Sequence, residues 1–231
     1  MKTEKTMAIK WRVVAALCLA GSMVLPAAEQ SPEKPPPGCS PCRASELVEL
    51  ARLDPGIRLD IRYATADNFV GRPVYAEARA FLQRQAAEAL LAVQRRLKDQ
   101  GLGLVVYDAY RPWSVTKLFW DITPPEKHMF VADPAVGSKH NRGCAVDVGL
   151  IDLASGRVLE MPGAYDEMSE RSNIEYSGGT PGQRTHRDLL RAAMEDGGLF
   201  KVYPKEWWHY DFKDYREYPI LDVSFKEISD K

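Results

Sequence analysis

Two short polar segments, far apart in the sequence, constrain the fold because their side chains suit one metal centre. The first covers residues 138–147 and contains His140 and Asp147. The second covers residues 206–211 and contains His209. Zinc in proteins is bound by imidazole nitrogen and carboxylate oxygen in a tetrahedral arrangement. The fold therefore has to bring His140, Asp147 and His209 together as the three predicted ligands of one Zn²⁺ ion.

The ligand count and a spare carboxylate point to hydrolysis. Three protein ligands leave one coordination position open, which is typical of catalytic zinc and not of structural zinc. Glu206 lies three residues before His209 and is the predicted general base, since a carboxylate near zinc can pass a proton from water to a leaving amine. We interpret the other two histidines, His128 and His186, as a loop residue and a residue of a solvated helix face.

The first 28 residues have the order of a secretory signal peptide. Basic residues at positions 2–12 precede an apolar run at 13–25, and two alanines at 27–28 offer a cleavage site. The run is shorter than the ~20 residues that span a membrane, although an uncleaved anchor is the alternative. We expect export to a bacterial periplasm, with no membrane attachment after cleavage.

The next segment, residues 29–43, is predicted to be a proline-rich linker. It contains Cys39 and Cys42, for which a local disulfide is favoured over a redox motif because prolines flank the pair. Cys144 is left over between two predicted ligands. We interpret it as a small buried apolar side chain, with a fourth metal ligand or an oxidation-sensitive thiol as the alternatives.

Residues 44–231 are predicted to form a single α+β domain. Apolar periodicity predicts helices at 78–100, 110–120 and 183–196 and strands at 59–63, 102–107, 145–151 and 206–212, while the type of 45–53 stays open. Helices and strands do not alternate regularly, so we expect a mainly antiparallel sheet flanked by helices, with the zinc site at the sheet. The net charge of -1 and the lack of a basic patch argue against nucleic acid as a partner.

The two ligand segments read S-x-H-x-x-G-x-A-x-D and E-x-W-H, and three further segments accompany them. These are YATADNFVG at residues 63–71, YDAYRP at 107–112 and DEMSERS at 166–172. Together the five segments resemble the zinc D-alanyl-D-alanine dipeptidases, the family of the vancomycin-resistance dipeptidase. The histidine motif is shared with a wider group of peptidoglycan carboxypeptidases, whereas the first two added segments are more specific to dipeptidases.

The resemblance implies roles for further residues. Arg111 is expected to stabilise the oxyanion of the tetrahedral intermediate, and a surface ion pair with Asp108 is its plain alternative. A free dipeptide has a cationic and an anionic end, so Asp166 is the candidate for the ammonium group and Ser138 for the carboxylate. Tyr63 is expected to line the pocket. Turn or capping roles are the alternatives for these three substrate residues.

We therefore expect a secreted zinc dipeptidase that hydrolyses D-alanyl-D-alanine in peptidoglycan metabolism, with a small dipeptide as its partner. One alternative is a D,D- or L,D-carboxypeptidase acting on peptidoglycan stem peptides, which should lack the Asp166 closure at the amino end. The other is a non-catalytic peptidoglycan-binding zinc domain, which would need neither Glu206 nor Arg111. The sequence leaves the oligomeric state open.

Overall fold

The computed structural model describes residues 33–229. The predicted signal peptide, residues 1–28, and the start of the predicted linker lie outside the described residues, so both stay predictions. Cys39 and Cys42 form a disulfide, which confirms the local pairing. Within residues 33–229, no helix is both long and apolar enough to cross a membrane.

The described residues form seven strands and five helices. The strands are β1 (Leu47–Glu49), β2 (Arg58–Leu59), β3 (Phe81–Gln83), β4 (Leu102–Asp108), β5 (Ala145–Asp152), β6 (Phe200–Tyr203) and β7 (Glu206–Phe212). The helices are α1 (Leu50–Leu53), α2 (Arg84–Lys98), α3 (Trp113–Ile122), α4 (Pro181–Glu195) and α5 (Phe225–Ser229). Short 3₁₀ turns lie between them, including Arg62–Ala64 and His140–Arg142.

The main sheet has five strands in the order β2-β4-β5-β7-β6. Only the short β2 runs parallel to its neighbour; the other three pairings are antiparallel. Strands β1 and β3 form a separate antiparallel pair. The prediction of a single α+β domain with a mainly antiparallel sheet is confirmed.

The two faces of the central strands carry different chemistry. Helix α2 packs against β4, α4 packs against β6, and the two helices contact each other. On β5, Val146, Val148 and Leu150 belong to the hydrophobic core. Successive side chains of a strand point to opposite faces, so Asp147 lies on the other side of the sheet. The sheet thus separates a packed apolar face from a face that carries polar groups.

The predicted helix at 78–100 is wrong at its start, because residues Phe81–Gln83 form β3 and α2 begins only at Arg84. Strand β3 pairs with β1, which lies more than 30 residues earlier in the chain, with Leu47 opposite Gln83. Phe81 and Leu82 are buried like the apolar residues of α2, so the apolar pattern runs across the boundary without a break.

The predicted strand at 59–63 is wrong beyond Leu59, because β2 ends at that residue and Arg62–Ala64 forms a 3₁₀ turn. The Tyr63 carbonyl accepts the N–H groups of Val74 and Tyr75, so a later loop fixes this turn. Segment 45–53, for which the sequence favours neither type, contains both β1 and α1. The remaining predicted helices correspond to α3 and α4, and the remaining predicted strands to β4, β5 and β7.

A tight turn at Gly143 joins the His140 segment to β5. Gly143 has φ +64°, a left-handed conformation that residues with a Cβ adopt at a cost. A Cβ there would overlap Leu47 Cδ2 and lie 3.2 Å from the Gln83 amide nitrogen. That amide donates to the Gly143 carbonyl at 2.8 Å. The β1–β3 pair therefore packs directly against the turn that carries the first predicted ligand.

Gly143→Ala should lower the free energy of unfolding more than Gly101→Ala does. Gly101 has φ +74°, and no atom lies within 4 Å of the position that a Cβ would take, so its substitution adds only the left-handed cost of roughly 1–2 kcal/mol. At Gly143 the overlap adds about 1–3 kcal/mol. Urea denaturation of the metal-free variants measures both losses. Equal losses would contradict the tight packing described for Gly143.

Candidate metal centre

The three predicted ligands meet on the polar face of the sheet. Asp147 on β5 and His209 on β7 are direct cross-strand partners, which places their side chains on the same face. His140 comes from the 3₁₀ turn just before β5. His140 Nε2 lies 3.1 Å from His209 Nδ1 and 3.3 Å from Asp147 Oδ1, and the last two atoms are 3.1 Å apart. All three residues are buried.

In the His140 and His209 rings, the nitrogen that faces away from Asp147 contacts a neighbouring oxygen atom. His140 Nδ1 contacts the Ala109 carbonyl at 2.6 Å, and His209 Nε2 contacts Asp211 Oδ1 at 2.8 Å. The nitrogens left for a ligand bond are His140 Nε2 and His209 Nδ1, and these are the two that face Asp147. Metal-binding histidines are commonly oriented in this way by a carbonyl or carboxylate on the far side of the ring.

The carboxylate of Asp147 shows why a cation fits here. Its Oδ2 accepts a hydrogen bond from the Tyr165 hydroxyl at 3.0 Å. Its Oδ1 is buried and has no hydrogen-bond partner among the described residues. A buried carboxylate oxygen without a partner is costly. A metal ion bound between Oδ1 and the two imidazole nitrogens would supply that partner, so the residues fit a metal ion.

Glu206 lies at the start of β7, and its Oε2 is 3.6 Å from His209 Nδ1. Residues three apart on a regular strand face opposite sides. Their approach coincides with a register shift between Val202 and Tyr203, where Tyr203 pairs with Glu206. Burial, followed by the repulsion from Asp147, raises the pKa of Glu206 to about 7. A carboxylate with a pKa near neutrality can both accept and release a proton.

Arg111 lies in the cleft and pairs with Asp108 at the same time. Its Nε and Nη2 donate to Asp108 Oδ2 at 3.0 and 2.7 Å, and the Tyr75 hydroxyl donates to Oδ1 at 2.9 Å. The guanidinium carbon lies 4.8 Å from the ring centre of Phe119 and 5.3 Å from that of Tyr63. The alternative of a surface ion pair with Asp108 is wrong in one respect: the pair exists, but both partners are buried.

The predicted substrate residues line the same cleft. The Asp166 carboxylate accepts a hydrogen bond from the Tyr63 hydroxyl at 2.7 Å. Burial raises the pKa of Asp166 to about 8, although the Tyr63 hydrogen bond lowers it. Ser138 is buried, and its hydroxyl oxygen accepts the His140 N–H at 3.2 Å. The structure thus brings all three substrate candidates to the ligand cluster.

The cleft is small, and much of its wall is apolar. Its volume is about 190 Å³, below the ~300–1,000 Å³ usual for drug-sized ligands. Apolar side chains complete its wall: Phe69, Phe119, Met129, Phe130 and Trp208. Of the two tryptophans in the E-x-W-H motif, Trp208 lines the cleft, while the Trp207 indole donates to the Gly163 carbonyl at 3.2 Å.

The remaining histidines and the unpaired cysteine lie outside the cluster. Cys144 is fully buried in the hydrophobic core, and burial raises the pKa of its thiol. This confirms its interpretation as a small buried side chain. His128 stacks on Trp120 with ring centres 3.7 Å apart, and His186 Nδ1 contacts the Glu160 carbonyl.

Sequence reasoning missed the groups that hold the ligands. Asp211 could have been found, because it lies two residues after His209 and therefore on the same face of β7. Tyr165 and the Ala109 carbonyl gave no such signal. Each of them reaches the site through contacts with residues distant in the sequence.

Comparison with known proteins places the chain among relatives over most of its length. A family model of the M15 peptidases, described as D-ala-D-ala dipeptidase, matches residues 43–228. The D-alanyl-D-alanine dipeptidase of Escherichia coli K12 is 38% identical over 181 residues, covering 78% of this chain and 92% of that protein. The enzyme of the same name from Enterococcus faecium is 33% identical over 189 residues, covering 71% and 93%.

Among solved structures, the LD-carboxypeptidase LdcB has a TM-score of 0.45 at 18% identity, covering 78% of this chain and 74% of that one. A likeness of this size adds nothing to the sequence matches.

Removing a predicted ligand should abolish metal binding, whereas removing the nearby thiol should not. After the proteins are loaded with zinc and dialysed, the native chain and Cys144→Ser should each retain one zinc ion per chain. His140→Ala and His209→Ala should each lose zinc, because each variant keeps only two of the three protein ligands that a catalytic zinc site needs. Elemental analysis of the dialysed proteins measures the content. Loss of zinc from Cys144→Ser would instead make the thiol a ligand.

Proposed function

The chain belongs to the M15 family of D-Ala-D-Ala dipeptidases, and from this premise we propose that it hydrolyses D-alanyl-D-alanine to two molecules of D-alanine. One Zn²⁺ ion would be held by His140 Nε2, Asp147 Oδ1 and His209 Nδ1. The observation that carries the proposal is the small buried cleft in which this cluster meets Glu206 and Arg111. Two relatives that bear the dipeptidase name support it.

Zinc at this position would supply a Lewis acid and would activate water at neutral pH. The protein's own groups handle the protons. Glu206 lies within reach of the cluster and takes the proton of the attacking water on its carboxylate. It then delivers that proton to the nitrogen of the leaving D-alanine. Burial raises the pKa of Glu206, which helps this carboxylate to hold the proton between the two transfers.

Arg111 stabilises the negative charge that develops on the substrate oxygen. Asp108 holds the guanidinium by two hydrogen bonds, and the Phe119 ring lies beside it. The cation is therefore oriented before the substrate arrives and needs no rearrangement during the reaction. Fixed charge of this kind, in a site from which water is excluded, is a large source of transition-state stabilisation.

The ends of the cleft suit a free dipeptide. Asp166 provides a carboxyl group, which the positive charge of a bound ammonium group would keep ionised, and Ser138 provides a hydroxyl for the carboxylate end. A cavity of about 190 Å³ leaves little room for further residues. These features favour a dipeptidase over a carboxypeptidase acting on stem peptides, which would need an open amino end. A binding module would need neither Glu206 nor Arg111.

We further propose that the protein acts outside the cytoplasm, in a bacterial periplasm. Residues 1–28 support this because they have the order of a signal peptide. The free dipeptide would there be a product of cell-wall turnover, which places the activity in peptidoglycan metabolism.

Glu206→Gln should lower kcat for D-alanyl-D-alanine by ~10³-fold, the scale of general acid–base catalysis. The amide keeps the shape of the carboxylate but cannot accept the proton, and zinc content should not change. Glu170→Gln, at an exposed carboxylate, is the matched control and should keep full activity. Steady-state assays of D-alanine release measure kcat for the native protein and for both variants. Retained activity in Glu206→Gln would remove this residue from the role of base.

The free dipeptide should be preferred over blocked and longer substrates. We expect cleavage of D-alanyl-D-alanine, much slower cleavage of its N-acetyl derivative and none of a pentapeptide stem. Asp166→Asn should lower kcat/KM for the free dipeptide by about 10- to 100-fold, as loss of a hydrogen bond to a charged group implies. Chromatographic product analysis compares the three substrates. Cleavage of the stem without cleavage of the free dipeptide would favour the carboxypeptidase alternative.

A further inference from the structure

We propose that Tyr165 is a positioning residue, whose hydroxyl holds the metal ligand Asp147. The next residue, Asp166, receives the amino end of the substrate, so Tyr165 also links the metal ligand to the substrate-binding group. The inference rests on the zinc centre of the proposed function.

The two oxygens of Asp147 have different surroundings. Oδ2 accepts the Tyr165 hydroxyl at 3.0 Å, and Oδ1 faces His140 Nε2 and His209 Nδ1. A carboxylate whose two oxygens are both free can rotate, or can bind a metal through both atoms. The hydrogen bond from Tyr165 occupies one oxygen and leaves Oδ1 alone for the metal. With a metal ion bound, this hydrogen bond would therefore favour coordination by Oδ1 alone and would leave a position open for water.

The Tyr165 ring is held on several sides. It stacks on Tyr107 with ring centres 4.7 Å apart and an interplanar angle of 27°. It makes edge contacts with Trp208 at 5.4 Å and with Tyr63 at 6.4 Å. Tyr107 itself lies over Gly149, where a Cβ would be 2.7 Å from the Tyr107 hydroxyl oxygen. The direction of the Tyr165 hydroxyl is thus set by packing before any metal binds.

The next residue, Asp166, is the proposed partner of the substrate's ammonium group. It is the one non-glycine residue with positive φ, 60°, within residues 33–229. Tyr165 and Asp166 lie together in a turn. From this turn Asp166 reaches the cleft and the Tyr63 hydroxyl. Strained backbone of this kind is concentrated at functional sites.

A consequence for specificity follows from these two contacts. One peptide unit joins the residue that orients the metal ligand to the residue that receives the ammonium group. The position of the amino-end carboxylate is therefore linked to that of the metal ligand. A substrate that uses both must carry its ammonium group at a matching distance from the cleaved bond. Tyr165 thus acts through Asp147 and Asp166, without contacting the reacting atoms itself.

Tyr165→Phe tests the hydroxyl separately from the ring. We expect zinc affinity to fall by about 10-fold or more, the effect seen when a partner of a metal ligand is removed. Chelator competition measures this affinity without substrate. The visible spectrum of the cobalt(II)-substituted variant should also change, because Asp147 is free to bind through both oxygens. The KM for D-alanyl-D-alanine at saturating zinc should stay at the native value, since the ring still positions Asp166.

Tyr107→Phe is the matched control, because it removes a hydroxyl from the stacked ring and leaves the bond to Asp147 in place. It should bind zinc like the native chain. Native zinc affinity in Tyr165→Phe, or equal losses in both variants, would overturn the inference. A native protein that binds zinc without cleaving the dipeptide would instead refute the proposed function, and the affinity comparison would still apply.

Discussion

The site depends on one row of residues across three adjacent strands: Asp108 on β4, Asp147 on β5 and His209 on β7. Backbone hydrogen bonds of the sheet fix the spacing of this row. A register shift after Val106 brings Asp108 opposite Asp147, as bulges near functional sites often do. Two buried carboxylates side by side repel each other unless each is compensated. Arg111 compensates the first, and the imidazole nitrogens of His140 and His209 lie against the second.

Part of the fold was predictable because its signals are local. Strands β4, β5 and β7 have dense apolar or aromatic sequences, and α4 has its own start signal, in which Thr180 and Gln183 cap each other. The boundary between β3 and α2 was not predictable. It depends on the pairing of Phe81–Gln83 with a strand more than 30 residues earlier, and no local pattern reports that pairing. The short elements β6 and α5 were also missed: β6 has four residues and forms a hairpin with β7, and α5 has only five residues.

The site shows a similar division. Residue types and spacing were sufficient to indicate His140, Asp147, His209 and Glu206, since these residues bear metal-binding or proton-transfer groups. The burial of Arg111 was not visible, because the three-residue spacing from Asp108 indicates only that an ion pair can form. Its position in the cleft comes from Phe119 and Tyr63, which belong to other elements. Tyr165 was missed because an aromatic residue is more often part of a core.

The burial of Cys144 has a consequence for thiol chemistry in an oxidising compartment. Attack on a disulfide requires the thiolate, and burial raises the pKa of this thiol. The side chain is also closed off by the core. The native protein can therefore keep the free thiol of Cys144 between two predicted metal ligands and still protect the Cys39–Cys42 disulfide from exchange. Within residues 33–229, the one free thiol can attack this disulfide only when the core opens, so the packing of the sheet also protects the covalent pairing.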